Sequence, residues 1–369
     1  MIEIKKIINI LNKNKIDFFT GIPDSILKSL SNYLSKYTAK KHIIAANEGS
    51  AISLATGYYL STKKIPVVYL QNSGLGNIVN PIVSIAHKKI YSIPMLLFIG
   101  WRGVPGMKDE VQHQVQGKIT LKLLKLLGIK YRIINHKIFN KQLTGLIKYA
   151  KKHNQPVACL IKKNDLSSYE KNNLKNRGIK NASILRSEFL QRLMYKTKQY
   201  KIVATTGFTS REMYQLRKNK NLNKEKDFYM VGGMGHTSMV AFGYSLFSKK
   251  NIICLDGDGS FLMHLGSAAT IGQFSKNNFK YILLNNGCHE SVGGQPTIVD
   301  KIDIKKLSHS FGYKNYFFLN KKKTIGPILK SFLNSNGPDF LEVIIKTGSP
   351  KNLLRIKNLS AIKKNFIKK

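Results

Sequence analysis

Short apolar runs alternate with amphipathic stretches along the whole chain. In the first half, runs of strand length occur at 17–20, 42–46, 67–71, 95–101, 131–134 and 157–162. Between them, 25–34, 50–60, 78–87 and 119–127 repeat apolar positions every three or four residues, as helices with one buried face do. This alternation predicts a mostly parallel sheet covered by helices on both sides. The second half repeats the pattern, with strands expected at 202–205, 228–231, 252–255, 281–284 and 340–345. Its helices are expected at 210–216, 238–246, 261–274, 304–311 and 324–333. From 164 to 181 the chain turns polar and rich in Asn, Lys and Ser, which reads as a connector. The expectation is two doubly wound α/β domains, 1–165 and 183–350, joined by a linker at 166–182 and followed by a basic surface tail at 351–369.

A length of 369 residues is too great for one ordinary core, and 43% apolar content suffices for two. The three cysteines are odd in number and lie in or beside apolar runs, which suits a reducing cytoplasm and gives no disulfide framework. Lys5, Lys6, Asn9 and Asn12 interrupt the first apolar residues in helical rhythm, unlike a signal peptide. The longest apolar run, around 93–101, is too short to cross a bilayer, so a cytoplasmic protein without membrane partners is expected.

The net charge of +42 invites a nucleic-acid partner. Its basic residues are spread along the chain and are nearly all lysine, the residue less suited to bidentate phosphate or base contacts. They accompany abundant Ile and Asn, the trio an AT-rich genome favours. No zinc spacing, recognition helix or aromatic-basic signature accompanies them. No specific nucleic-acid partner is expected, although bulk charge favours an anionic substrate.

The chemistry is concentrated at the ends of predicted strands. Gly257-Asp258-Gly259, then Ser260, follows one apolar strand, and Asn285-Asn286-Gly287 follows the next, with 25 residues between Gly259 and Asn285. In a parallel sheet these ends lie side by side, where open α/β sheets bind ligands. Asp258 and Asn286 there offer oxygen atoms to one hard divalent cation, which keeps positions for phosphate oxygens. Gly257 and Gly259 let the backbone approach a diphosphate, and a helix starting at Ser260 presents unpaired amides. Taken singly, each motif is an ordinary turn with Asp258 as a helix cap. Their coupling through one helix and one strand identifies a site for a magnesium-bound diphosphate. Two further segments stand out. Glu48 lies in Ala45-Ala46-Asn47-Glu48-Gly49-Ser50-Ala51, where its simplest role is to complement a helix dipole. Met234 lies in Gly232-Gly233-Met234-Gly235-His236-Thr237-Ser238, on its own a flexible turn with a buried Met.

Together these motifs are very similar to the cofactor signature of the thiamine diphosphate enzymes. The resemblance implies that Asp258, Asn286 and the backbone carbonyl of Cys288 ligate magnesium. It implies that Glu48 hydrogen-bonds N1′ of the cofactor's aminopyrimidine, and that Met234 wedges beneath the cofactor and bends it. Gly233, His236 and the flanking amides, with Thr206, Gly207 and Thr209, are implied to bind the diphosphate. Three segments narrow the likeness to the phosphonopyruvate decarboxylases: Gly21-Ile22-Pro23-Asp24-Ser25, the stretch from Asp109 to Gly117, and Thr205 to Glu212. The stretch Asn285 to Gln295 adds to them. The likeness covers nearly the whole chain and accounts for its two domains, without the middle domain of larger relatives. It implies decarboxylation of 3-phosphonopyruvate to phosphonoacetaldehyde in phosphonate biosynthesis, with sulfopyruvate or another 2-keto acid as the alternative substrate. Asp24, His113 and His289 are implied to handle protons, although Asp24 also suits a helix cap and larger relatives have one more residue in its turn. Where those relatives carry a His-His pair, this chain has Gln112-His113, in a lysine-free segment that reads as an active-site loop. Ser25, Arg102, Lys108 and Arg211 are candidates to grip the phosphonate. Because Glu48 and Met234 fall in different domains, the family arrangement implies a homodimer or a dimer of dimers.

Overall fold

The computed structural model describes residues 1–169, 178–219 and 226–368. It divides into two compact units, Met1–Lys175 and Asn176–Lys369. Of the connector expected at 166–182, positions 170–177 lie outside the described residues.

The first unit contains, in order, Ile4–Lys13 (α1), Phe19–Gly21 (β1), Lys28–Leu34 (α2), His42–Ile44 (β2), Glu48–Thr62 (α3), Val67–Gln71 (β3), Leu75–Pro81 (α4), Leu96–Gly100 (β4), Val111–Leu126 (α5), Lys130–Ile133 (β5), Phe139–His153 (α6) and Val157–Ile161 (β6). Its sheet runs β2-β1-β3-β4-β6-β5, parallel at every pairing. Strands β4 and β6 are buried throughout, because helices cover both faces. The two-residue period of β3 divides it cleanly. Val67 and Tyr69 join the cluster that holds Ile7, Leu30 and Leu143, while Val68 and Leu70 join the cluster with Ile52, Ile78 and Leu97. Full burial of each such aliphatic side chain contributes about 1.5–3 kcal/mol.

The second unit contains Ile184–Leu185 (β7), Arg186–Lys196 (α7), Lys201–Ala204 (β8), Phe208–Asn219 (α8), Phe228–Tyr229 (β9), Thr237–Phe247 (α9), Ile252–Gly257 (β10), Asp258–Met263 (α10), Gly266–Phe274 (α11), Phe279–Asn285 (β11), Cys288–His289 (β12), Gln295–Pro296 (β13), Ile304–Ser310 (α12), Asn315–Leu319 (β14), Ile325–Asn334 (α13), Asp339–Lys346 (β15) and Leu359–Ile367 (α14). The main sheet runs β14-β15-β11-β10-β8-β9, all parallel, with β7 paired to the end of β15. Strands β12 and β13 form a small antiparallel hairpin beyond β11.

Three local differences from the sequence expectation have physical causes. The helix expected at 78–87 is α4 up to Pro81, continued as a widened turn over Ile82–Ala86, because proline interrupts the regular bonding. The helix expected at 261–274 is two helices, broken where His264 leaves helical geometry at φ −133° and ψ 54°. The basic tail is not a solvated surface segment. Leu353, Ile356, Ile362 and Phe366 are buried, and Lys201 Nζ donates to the Phe366 carbonyl at 2.8 Å. Its lysines conceal a well-formed apolar face. Among the described residues no helix is long and apolar enough to cross a membrane.

Candidate active site

Four neighbouring strands of the second unit, in the order β9-β8-β10-β11, carry the Thr206, Met234, Asp258 and Asn286 motifs at their carboxyl ends. The pairing of Gly257 with Leu284 sets the ends of β10 and β11 level, so that Asp258 and Asn286 both lie just past the sheet edge. Both side chains are buried. Asp258 starts α10, and its Oδ2 accepts the Thr297 hydroxyl at 2.6 Å. Burial raises its pKa to about 6, opposed by the Thr297 and Gly259 hydrogen bonds. Asn286 Oδ1 accepts the Cys288 amide at 3.1 Å, and its Nδ2 donates to Glu290 Oε2 at 3.1 Å.

Ser260 ties the turns together. Its Oγ lies 3.3 Å from Thr205 Oγ1 and accepts the Gly235 amide at 3.0 Å. Thr206 and Gly207 form the turn after β8, with Gly207 at φ +92°, and Thr209 is buried in the first turn of α8. A Cβ on Gly257 would meet nothing closer than Thr205 Cγ2 at 4.0 Å, leaving bare backbone beside Asp258. Met234 sits between Gly233 at φ +65° and Gly235 at φ +87°, values that L side chains avoid. A Cβ on Gly259 would stand 3.2 Å from Met234 Cε and 2.8 Å from the His289 ring, so this glycine is where both side chains converge. Burial lowers the His289 pKa to about 4, leaving a neutral imidazole. His236 stacks on His264 with ring centres 4.6 Å apart.

In the first unit, Glu48 opens α3 behind the Asn47 cap, whose side chain accepts the Ser50 amide at 2.9 Å. Its carboxylate is buried and accepts Asn77 Nδ2 at 2.7 Å. Gly74 makes the room, since a Cβ there would fall 2.2 Å from Glu48 Oε1. Asp24 follows β1 and is buried. Its Oδ2 accepts the Ile26 and Leu27 amides at 3.1 and 3.0 Å, while its buried Oδ1 has no hydrogen-bond partner. Arg102 donates Nε to Asp109 Oδ2 at 2.8 Å and Nη1 to Ser25 Oγ at 3.0 Å. Despite its partial burial, Asp109 is held well below the usual carboxylate range by Arg102.

Comparison with known proteins decides what these two units are. Residues 5–124 match the thiamine pyrophosphate enzyme N-terminal TPP binding domain, and residues 205–343 match the corresponding C-terminal TPP binding domain. Phosphonopyruvate decarboxylase of Streptomyces viridochromogenes is 31% identical over 91% of this chain and 87% of its own. That of Streptomyces hygroscopicus is 30% identical over 89% and 84%. Sulfopyruvate decarboxylase of Methanosarcina acetivorans is 26% identical over 94% and 92%. This chain belongs to the thiamine diphosphate-dependent decarboxylases.

The residues at the carboxyl edge of the second sheet fit a metal-bound diphosphate. Carboxylate, amide and carbonyl oxygens suit a hard cation, and the uncovered Gly257 backbone suits a diphosphate. Two candidates are placed otherwise than the sequence suggests. His113 lies in the first turn of α5 rather than in a loop, since that helix begins at Val111. Arg211 donates to the Leu353 and Leu354 carbonyls, at 2.5 and 3.2 Å, and so straps down the C-terminal segment. Lys108 is exposed. Sequence reasoning passed over Asn77, Thr297 and Arg186, because each acts through a partner distant along the chain.

The decarboxylase also carries a pH signature at Asp24. Burial raises this carboxyl from 3.8 to about 6, against the Leu27 and Ile26 amides and the Arg102 charge. The folded state therefore binds the proton more tightly than the unfolded chain. The stability this contributes is complete below 3.8 and disappears as pH rises through 6. The span corresponds to roughly 3 kcal/mol. Asp24→Asn should thus gain melting temperature relative to wild type above pH 6 and lose that gain in acid. A difference that does not vary with pH would show that the carboxyl titrates normally.

Proposed function

We propose that this decarboxylase converts 3-phosphonopyruvate to phosphonoacetaldehyde and carbon dioxide, using thiamine diphosphate and Mg2+, in phosphonate biosynthesis. What carries the reading is similarity to two phosphonopyruvate decarboxylases along nearly the full length of both units. When bound, thiamine diphosphate supplies the electron sink for the pair left behind as carbon dioxide departs. The chain supplies orientation, charge and protons. Asp258, Asn286 and the Cys288 carbonyl hold the cation. Thr206, Gly207, Thr209, Gly233 and His236 would hold the diphosphate, and Met234 would pack against the cofactor. Glu48 would hydrogen-bond the cofactor's aminopyrimidine and serve its proton exchange.

The product needs a proton on the carbon that loses carbon dioxide. Asp24, titrating at about 6 with one oxygen unpartnered, is better suited to deliver it than His289, whose pKa of about 4 leaves no acidic proton at neutral pH. His289 instead offers a neutral imidazole beside Met234. The Ser25–Arg102 pair is our choice for the phosphonate grip. Asp109 fixes one edge of the guanidinium, and Nη1 already engages the Ser25 hydroxyl. Arg211 is the second choice, since its Nε and Nη2 already donate to the Leu354 and Leu353 carbonyls. The active assembly in this reading is at least a homodimer, and three buried free cysteines suit the cytoplasm.

Sulfopyruvate is the second reading, supported by the 26% identity to a sulfopyruvate decarboxylase that likewise spans both units. Purified protein with Mg2+ and thiamine diphosphate should be given phosphonopyruvate, sulfopyruvate and pyruvate in parallel. Phosphonopyruvate is expected to lead by about tenfold or more in kcat/KM. Faster turnover of sulfopyruvate reverses the assignment.

A further inference from the structure

Behind the proposed cation ligand Asn286 lies a charged network that the reaction above does not use. Arg186 opens α7 and is 4% exposed. Its Nη1 donates to Glu212 Oε1 at 2.7 Å, and its Nη2 pairs with Glu290. Glu212 is 1% exposed, and the guanidinium lies 5.8 Å from the Phe208 ring centre. Glu290 is the junction. Its Oε2 receives both Arg186 and the Asn286 side-chain amide, and its Oε1 receives the Gly348 amide just beyond β15.

We infer that Glu290 is a positioning residue for Asn286, fixing which way its amide faces, with Arg186 and Glu212 as the buried anchor. The inference rests on the cofactor reading proposed above. A side-chain amide has one face that accepts and one that donates, and only the oxygen binds a cation. The Glu290 carboxylate only accepts, so it takes the NH2 end. The Cys288 amide only donates, so it takes the oxygen end at 3.1 Å. With both ends assigned, Oδ1 is turned away from Glu290 without the rotation that would present NH2 to a cation. Glu290 stays in place because Arg186 and Gly348 hold both its oxygens. Outer partners of metal ligands act in this way, and losing one costs about 10–100-fold in metal affinity.

The test is a Mg2+ titration of the full-length protein at saturating thiamine diphosphate, with melting temperature as the readout. For Glu290→Ala, the Mg2+ concentration giving half of the stabilisation should rise about tenfold or more. The melting temperature without cofactor should also fall, because Arg186 loses one of its two carboxylate partners, so the Mg2+ midpoint and not the melting temperature itself is what is compared. Glu290→Gln retains an accepting oxygen toward Asn286 but turns its NH2 toward the Gly348 amide, so it should fall between Ala and wild type. Arg186→Lys keeps the charge beside Glu212 but loses the forked reach to Glu290. It should raise the Mg2+ requirement in the same direction by less, and it decides the matter if Glu290→Ala does not fold. An unchanged requirement in Glu290→Ala or Arg186→Lys overturns the inference. A wild-type protein that Mg2+ and thiamine diphosphate fail to stabilise overturns the cofactor reading itself, and the inference with it.

Discussion

Glu48→Gln is expected to cut turnover by a factor of about 10²–10⁴, the span over which positioned proton transfer contributes. Folding and cofactor-dependent stabilisation should survive. The substitution preserves shape in a confined place, with Gly74 leaving just enough space beside the carboxylate. A glutamine oxygen still accepts the Asn77 amide that Glu48 now receives at 2.7 Å. The start of α3 is independently secured by Asn47, so no cap is lost. What disappears is the capacity to hold and return a proton. Steady-state turnover and melting temperature with and without thiamine diphosphate separate the two roles. Wild-type turnover in the variant would falsify the assigned role. Loss of stabilisation with turnover would instead make Glu48 a binding group.

The strands were legible because burial on both faces writes a continuous apolar run, and β4 and β6 are of this kind. Edge strand β14 was not, since only Leu319 of its five residues is fully buried. Helices α6 and α7 carry lysines and arginines that dilute their apolar stripes, although Leu143, Ile147, Phe189 and Leu193 pack as firmly as any core residue. The tail helix was hidden in the same way. At the site, the Gly-Asp-Gly and Asn-Asn pair was legible because strand register converts a fixed spacing into adjacency. Partnerships are different. Nothing local marks Asn77 as the donor to a glutamate 29 residues earlier, or Arg186 as the partner of Glu290, 104 residues away. Arg211 belongs with them, because nothing local marks the Leu353 and Leu354 carbonyls as its partners. Residues set by long-range contact are read only from the fold.

Asp258→Ala should abolish stabilisation by Mg2+ and thiamine diphosphate together with turnover, an outcome different in kind from Glu48→Gln. A ligand present at a hundred times its dissociation constant stabilises the folded state by about 2.7 kcal/mol, which makes the loss readily visible as melting temperature. The apo protein should suffer little. Asp258 is a buried carboxyl whose pKa is raised to about 6 by desolvation, so keeping it ionised at neutral pH already costs stability. Its one described side-chain partner is the Thr297 hydroxyl. Asp258→Asn sharpens the contrast, because an amide oxygen still accepts that hydroxyl while the negative charge facing the cation is gone. If charge is what the metal needs, Asn and Ala should both lose the cofactor response while Asn better preserves the apo melting temperature. Full stabilisation of Asp258→Ala by Mg2+ and thiamine diphosphate would remove this carboxylate from the cation site, and with it the reason the ends of β10 and β11 are set level.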